Sequence, residues 1–405
     1  MDPRGEDAQK VAFCLELGRA LHSFGTPAHR FEEAMERVVA SLGLEGHFLA
    51  HPTAFFAELK TAAGREVFVV RAEPGERDLG KLVRIQATVR AVADGSLPLE
   101  SAAAEVRALV AEKPRFGPAA TLAAYTLSSS LAARFFGGGW REMVLGGLLG
   151  FAVGVLGLLT ARVRTLAEVF VLLAASLAGF GGVALAHLAP HTAAFTLTLA
   201  SIVILLPGLK LTIALREVAT GNLVAGSSRL TDAAMTLLML AFGVAMGRQL
   251  AFQLAHAFQE SPSLPLPAWT EWVALAAAPA GYLVFFQARR KDFGWMLLAC
   301  LVAFVAARMG SALVGPELGA GLGAMVLGLA ANLFARATRL PNQIMQLPGL
   351  LVLVPGSVGF RGLAFLSMGE TEVGIQTAFR MVFLAVALVM GLSLANAVVP
   401  PRKGL

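Results

Sequence analysis

After Pro118 the chain becomes a succession of apolar runs, 16 to 25 residues long, each stopped by Arg, Pro, Gly or Trp. As helices, runs of that length are long enough to cross a hydrocarbon core of about 30 Å. One soluble core does not explain them, because single cores stop growing near ~250–300 residues. Charge is correspondingly sparse: 15% of residues are charged, against about 25% in soluble domains. The deficit is one-sided, with 15 of the 33 Lys and Arg in residues 1–115 and 18 in the remaining 290. These features predict an α-helical polytopic membrane protein that carries a small soluble α+β domain at its N-terminus. A pI near 9.7 then reflects where basic residues sit relative to a bilayer, and nucleic acid is not expected as a partner.

Residues 1–115 form the soluble unit. Val11, Leu15, Leu17 and Leu21 fall at helical spacing, and Gly25 stops that helix. Thr26-Pro27 reads as an N-cap followed by a proline in the first turn of RFEEAMERVVASLG. HFLAHPTAFFAELK and REVFVVRAE, split by a Gly-containing loop, read as a β-hairpin, and Asp78 and Pro98 open two further helices. Residues 1–24 are amphipathic and charged, unlike a secretory signal. His47 and His51 lie four apart on a strand, a spacing that does not converge on a metal, and no metal or cofactor is expected. No Gly-x-Ser-x-Gly elbow, phosphate loop or Cys-x-x-Cys is present, so no catalytic constellation is either. Glu32, Glu33 and Glu36 read as a solvated helix face. Cys14 and Cys300 read as reduced, packed residues.

Ten candidate spans follow, near 118–135, 143–161, 166–187, 191–209, 231–255, 270–288, 293–309, 318–335, 341–358 and 375–398. They divide into a first five-helix unit over 116–257, an external Pro-rich linker over 258–267 and a second unit over 268–400. With the N-terminal domain in the cytoplasm, alternation puts twelve basic residues inside and six outside, the expected bias. The inside set includes Lys210, Arg216, Arg229, Arg289-Arg290-Lys291, Arg336, Arg339, Arg402 and Lys403. Glycines four apart, at 146, 150 and 154 and at 319 and 323, predict close helix packing.

The second unit echoes the first at an offset of 148 residues. Pro207-Gly208 meets Pro355-Gly356, and Gly221, Gly226 and Gly243 meet Gly369, Gly374 and Gly391 without a gap. An odd number of helices, repeated, points the opposite way in the membrane, so the reading is two inverted five-helix repeats. Helices broken by Pro and Gly within such repeats expose backbone groups to a polar cargo at membrane depth. The run from Pro341 to Val354, which contains Asn342, Gln343, Gln346 and Pro348, is too short and polar for a plain span. Candidate cargo-binding residues are therefore Pro207, Gly208, Pro355 and Gly356, the cations Lys210, Arg216 and Arg361, and the amides Gln343 and Asn332. Asp232 and Glu370 are the candidate proton-coupling acids.

Several motifs together resemble the threonine/serine exporter family: GTPAHRFEEAMERVVASLG, HPTAF and LVRIQATVRAVADGSLPLESA, then LLPGLKLTIALREVATGNLVAGSSR, then LPGLLVLVPGSVGFRGLAFL. The resemblance implies a cytoplasmic N-terminal domain, two related halves and export driven by the proton-motive force, in a bacterial inner membrane. It carries Pro207, Gly208, Arg229, Pro355, Gly356 and Arg361 over as motif positions, and implies that an acid is frequent where this chain has Asn222. Related two-component systems are linked to dicarboxylate export, so the resemblance leaves two cargoes open, a small amino acid and a succinate-like dicarboxylate. A membrane-anchored hydrolase acting through residues 1–115 is the reading from another class, and a homo-oligomer is left open.

Overall fold

The computed structural model describes residues 3–401 except 73, 74, 76 and 255–259. Arg402 and Lys403 lie outside the described residues.

The N-terminal domain runs α1 (Pro3–Ser23), α2 (Ala28–Ser41), β1 (Glu45–His51), β2 (Ala54–Thr61), β3 (Gly64–Arg71), α3 (Leu79–Ala93) and α4 (Leu99–Ala111). The expected hairpin is a three-stranded antiparallel meander, because Pro52-Thr53 makes a second turn inside HFLAHPTAFFAELK. Alternation sends Phe55, Ala57 and Leu59 inward against Phe13, Leu17, Phe31 and Met35 of α1 and α2. Asp78 caps α3 by accepting from the Lys81 amide at 2.8 Å. Thr26 does not cap α2: Pro27 holds an extended ψ of 148°, the helix begins at Ala28, and its N-terminus has no cap of its own.

The membrane part continues with α5 (Pro118–Phe135), α6 (Trp140–Thr160), the short α7 (Arg164–Glu168), α8 (Phe170–Leu188), α9 (Ala194–Ser201), α10 (Gly208–Ala219) and α11 (Leu223–Leu254). After the linker come α12 (Trp269–Phe285), α13 (Phe293–Val314), α14 (Pro316–Thr338), α15 (Gln343–Leu353), α16 (Gly356–Ser367) and α17 (Thr371–Val398). Among the described residues seven helical segments are long and apolar enough to cross a membrane, and the α9–α10 pair, bent by 51°, makes an eighth. The expected ten therefore need two qualifications. α12 has 17 residues, only about 26 Å of length, and α5, with 18, is made too polar by Tyr125, three serines and Arg134. The expected spans 191–209 and 341–358 are each split at the Pro-Gly pair, and α10 and α16 add a second limb to them.

Neighbour relations recur in both halves. α8 packs along α11 as α14 packs along α17, α5 on α6 as α12 on α13, and α8 on α9 as α14 on α15. The matched glycines do matched work. Gly221 and Gly369 both turn the chain after a half-helix with φ of +88° and +84°, a conformation other residues adopt at a cost. A Cβ on Gly226 would strike Val218 and the Ala214 carbonyl, and one on Gly374 would strike Leu366 and the Gly362 carbonyl. These are the same positions, 148 residues apart. The four-spaced glycines let α6 approach Ser129 and Tyr125 of α5, and α14 approach Ala307 and Ser311 of α13. Large apolar side chains such as Phe151, Phe242, Leu318, Phe379 and Phe383 face outward, as lipid-facing positions should.

Candidate functional site

The two Pro-Gly pairs meet. Pro207 and Pro355 take nearly the same conformation, with φ of −81° and −79°, and each stands at the N-terminus of a second limb, α10 or α16. Their glycines touch backbone to backbone: a Cβ on Gly208 would lie 2.8 Å from the Gly356 nitrogen, and one on Gly356 2.9 Å from the Gly208 nitrogen. No larger residue fits there without displacing the other strand. Across this contact α10 packs on α17 and α11 on α16, so each second limb is clasped by the other half.

The remaining candidates scatter around the crossing. Lys210 and Asp232 pair with each other at 2.9 Å, both more than half exposed, on the outer face of the bundle. Arg361 lies over the Phe136 ring at 5.3 Å, and its Nε has no hydrogen-bond partner among the described residues. Glu370 is exposed at the start of α17. Asn332 is buried in an amide network: its Nδ2 donates to Asn396 Oδ1 and the Val399 carbonyl, and its Oδ1 accepts from Asn342. That network ties α14 to α17 and to the start of α15, and it satisfies the amide within the protein. Gln343 and Arg216 come together instead at a seam between the N-terminal domain and the helices.

That seam is built largely by two of the quoted motifs, 25–43 and 205–229, whose contacting residues lie about 190 apart in sequence. Glu217, fully buried near the end of α10, accepts from the uncapped Ala28 amide at 2.9 Å. The membrane part thus supplies the carboxylate that the N-terminus of α2 lacks, where the helix dipole favours negative charge. Glu217 also pairs with Arg229 at 2.9 Å, in a geometry not aligned for a hydrogen bond. Asn222 donates to Glu32 at 3.0 Å, and Glu32 also accepts from the Ala50 amide. Glu32 is therefore a docking residue, where the sequence suggested only a solvated face. An acid at position 222 would repel it. The Leu79 amide donates to the Phe286 carbonyl, Arg90 to the Arg339 carbonyl and the Phe116 amide to Gln287 Oε1. Glu217, His29 and Arg77 were not marked as candidates by sequence. Their only signal there was that they sit in or beside the quoted motifs.

His29 stands at the centre of this seam with neither ring nitrogen bonded among the described residues. Burial, and then the charges of Arg216, Arg30 and Arg229, push its imidazole down to about 3 from the ordinary 6.5. The imidazole is neutral when folded and takes up a proton on unfolding below pH 6.5, so stability is present above 6.5 and is lost as pH falls toward 3. Subtracting the melting curves of a His29→Asn variant from those of the native protein should leave a dependence of up to about 1.4 kcal/mol per pH unit between pH 6 and 4. A difference that is flat with pH would show that His29 protonates freely in the fold.

A helical bundle with broken limbs crossing at its centre has the build of a membrane transporter. A family profile described as threonine/serine exporter matches residues 12–251, and a second, described as threonine/serine exporter, ThrE, matches residues 271–398. The chain belongs to the threonine/serine exporter family and is a multi-pass membrane protein. It is similar to pheromone-regulated membrane protein 10 of Kluyveromyces lactis, at 28% identity over 91% of this chain and 39% of that one. The protein of the same name from Eremothecium gossypii is 28% identical over 86% of this chain and 48% of its own length. The chain thus spans less than half the length of these relatives, and they are fungal, so they lend nothing to the expectation of a bacterial inner membrane. No solved structure matches at a significant level.

Proposed function

We propose that the chain is a secondary active exporter of small amino acids of the threonine/serine type, driven by the proton-motive force. In this reading ten spans form two inverted five-helix halves, with the N-terminal domain and the C-terminus on the cytoplasmic side of a bacterial inner membrane. The observation that carries it is the contact of Gly208 with Gly356, where two broken helices from equivalent positions of the two halves cross. Broken helices at such a crossing offer unpaired backbone groups to a zwitterion or an anion. The topology has its own support. The segments that touch the N-terminal domain at 217–222 and 339 lie in loops assigned to the inside, and 286–287 lie at the inner end of the span 270–288. Arg134 and Arg308, both assigned outside, pair with Glu271 at the outer end of that span.

Asp232 is the acid we assign to proton coupling, with Lys210 as its partner. Cells lacking their own exporters, loaded with a threonine-containing dipeptide, should release threonine faster when they contain this protein. An uncoupler should abolish the gain, and Asp232→Asn should reduce its uncoupler-sensitive part by about tenfold or more. Succinate released in place of threonine would move the cargo to dicarboxylates. Release of neither would remove the exporter reading.

A further inference from the structure

Two adjacent chambers occupy the seam. The outer one has a volume of about 440 Å³ and is bordered by Arg37, Arg90, Arg339 and Asn342. The inner one, about 40 Å³, is bordered by His29, Arg77, Thr212, Arg216 and Gln346. Thr26, Arg30 and Gln343 line both, so the two chambers share a wall. Thr212 donates to the Gly208 carbonyl at 3.1 Å, which brings the inner chamber to within one helical turn of the crossing.

Positive charge in the inner chamber is under-compensated. Arg77 and Arg216 have no ion pair within 4 Å among the described residues, and the contact of Arg30 with Glu33 is 3.7 Å long. Burial pushes the Arg77 guanidinium down to about 10. Glu217, whose charge reaches Arg77, is already paired with Arg229; buried guanidinium groups so weakly compensated are costly, and an oxyanion held between them offsets that cost. Polar groups for it stand ready: Thr26 Oγ1 and the two His29 ring nitrogens, one of them an N–H, are buried and have no partner among the described residues. The neutral imidazole presents one N–H to such a ligand without adding charge. The inner chamber has room for a carboxylate head, and the outer one for the rest of a small metabolite.

We propose that this seam is the carboxylate-binding vestibule of the transport path, completed by the N-terminal domain. Arg30 and Arg77 of that domain and Arg216 of α10 hold the carboxylate before the molecule reaches the Pro-Gly crossing. Soluble domain and bundle each supply part of one site, and neither binds alone. The inference rests on the exporter reading for what the site serves, but its binding step is measured separately.

The test uses the full chain in lipid nanodiscs with Ala93→Cys, an exposed position on the wall of the outer chamber, as a reporter; the native Cys14 and Cys300 are buried, so background labelling by maleimide is low. Threonine or succinate should slow labelling at position 93, whereas threoninol, which lacks the carboxylate, should not. Whichever of the two acids protects at the lower concentration identifies the source of the carboxylate. Adding Arg77→Gln or Arg216→Gln should raise the protective concentration by about tenfold or more, the scale of one lost charge-assisted bond. If either glutamine variant fails to fold, the acid-against-threoninol comparison on the reporter alone still decides. Equal protection by threoninol, or protection unchanged by both glutamines, overturns the site. Efflux without protection overturns the vestibule and leaves the exporter standing. Protection without efflux of either acid keeps the site and removes the exporter reading.

Discussion

Alanine at both Gly208 and Gly356 is expected to stop efflux while leaving the protein in the membrane. A methyl group on Gly208 would lie 2.8 Å from the Gly356 nitrogen and 2.9 Å from Val354 Cβ, and the reciprocal methyl 3.0 Å from Gly208 Cα. Both obstacles are backbone or its immediate side chain, so the strands must separate. Overpacking of this kind costs about 1–3 kcal/mol per site, and the two share one contact, so their effects will not add. Each single alanine should slow efflux by about tenfold or more. Gly294→Ala is the control, since a Cβ there meets nothing within 4 Å. Membrane-inserted protein is quantified by surface labelling, and wild-type efflux from the double variant would remove the crossing from the transport path.

Glu217→Ala should detach the N-terminal domain. The substitution leaves the Ala28 amide without an acceptor and Arg229, about three-quarters buried, without its counter-charge. Breaking a buried pair from one side costs about 3–5 kcal/mol, with the lower end apt here because Arg229 keeps some solvent. The linker between α4 and α5 reports the change. It is held by the bond from the Phe116 amide to Gln287, and it contains one bond open to trypsin, Arg115–Phe116, since Lys113 is followed by Pro114. Trypsin should cut there at least tenfold faster in Glu217→Ala than in the native chain. Glu217→Gln, which keeps an acceptor for Ala28, should fall between. Identical cleavage rates in all three would mean that docking does not depend on this carboxylate.

The elements most legible in sequence were those set by local chemistry. Apolar length gave the helices, the Asp78 cap gave the start of α3, and an unbroken register of glycines gave the repeat whose positions the fold matches. The Pro-Gly pairs were legible as breaks, because a proline followed by glycine cannot continue a helix unperturbed. Their mutual contact was not, since it depends on how two halves of one chain cross. Arg216 was marked as a cargo residue because it follows the first break and Gln343 because it lies in a run too short and polar for a span, and they lie together for a reason that spacing does not encode. The docked N-terminal domain brings Arg30, Arg77 and His29 to them. Lys210 and Asp232 were marked separately and lie together, which 22 residues of helical hairpin make natural only once α10 is seen to fold back along α11. Glu32 misled because a helix-face acid looks solvated whenever the partner that covers it comes from elsewhere in the chain.

The backbone of this protein is duplicated, but its charges are not. Arg216 and Glu217, which carry the seam, correspond at the 148-residue offset to Ala364 and Phe365, and Arg229 to Thr377. Arg361 corresponds to Ile213, and Lys210 to Val358. In the inverted arrangement proposed above, the matching glycines and prolines give a frame that is indifferent to which way up it stands, so nothing in them distinguishes import from export. Polarity enters only through side chains that one copy has and the other has lost. Fusion of the copies in a single chain is what permits that difference, because a frame made of two identical subunits would have to place the same arginine at both mouths.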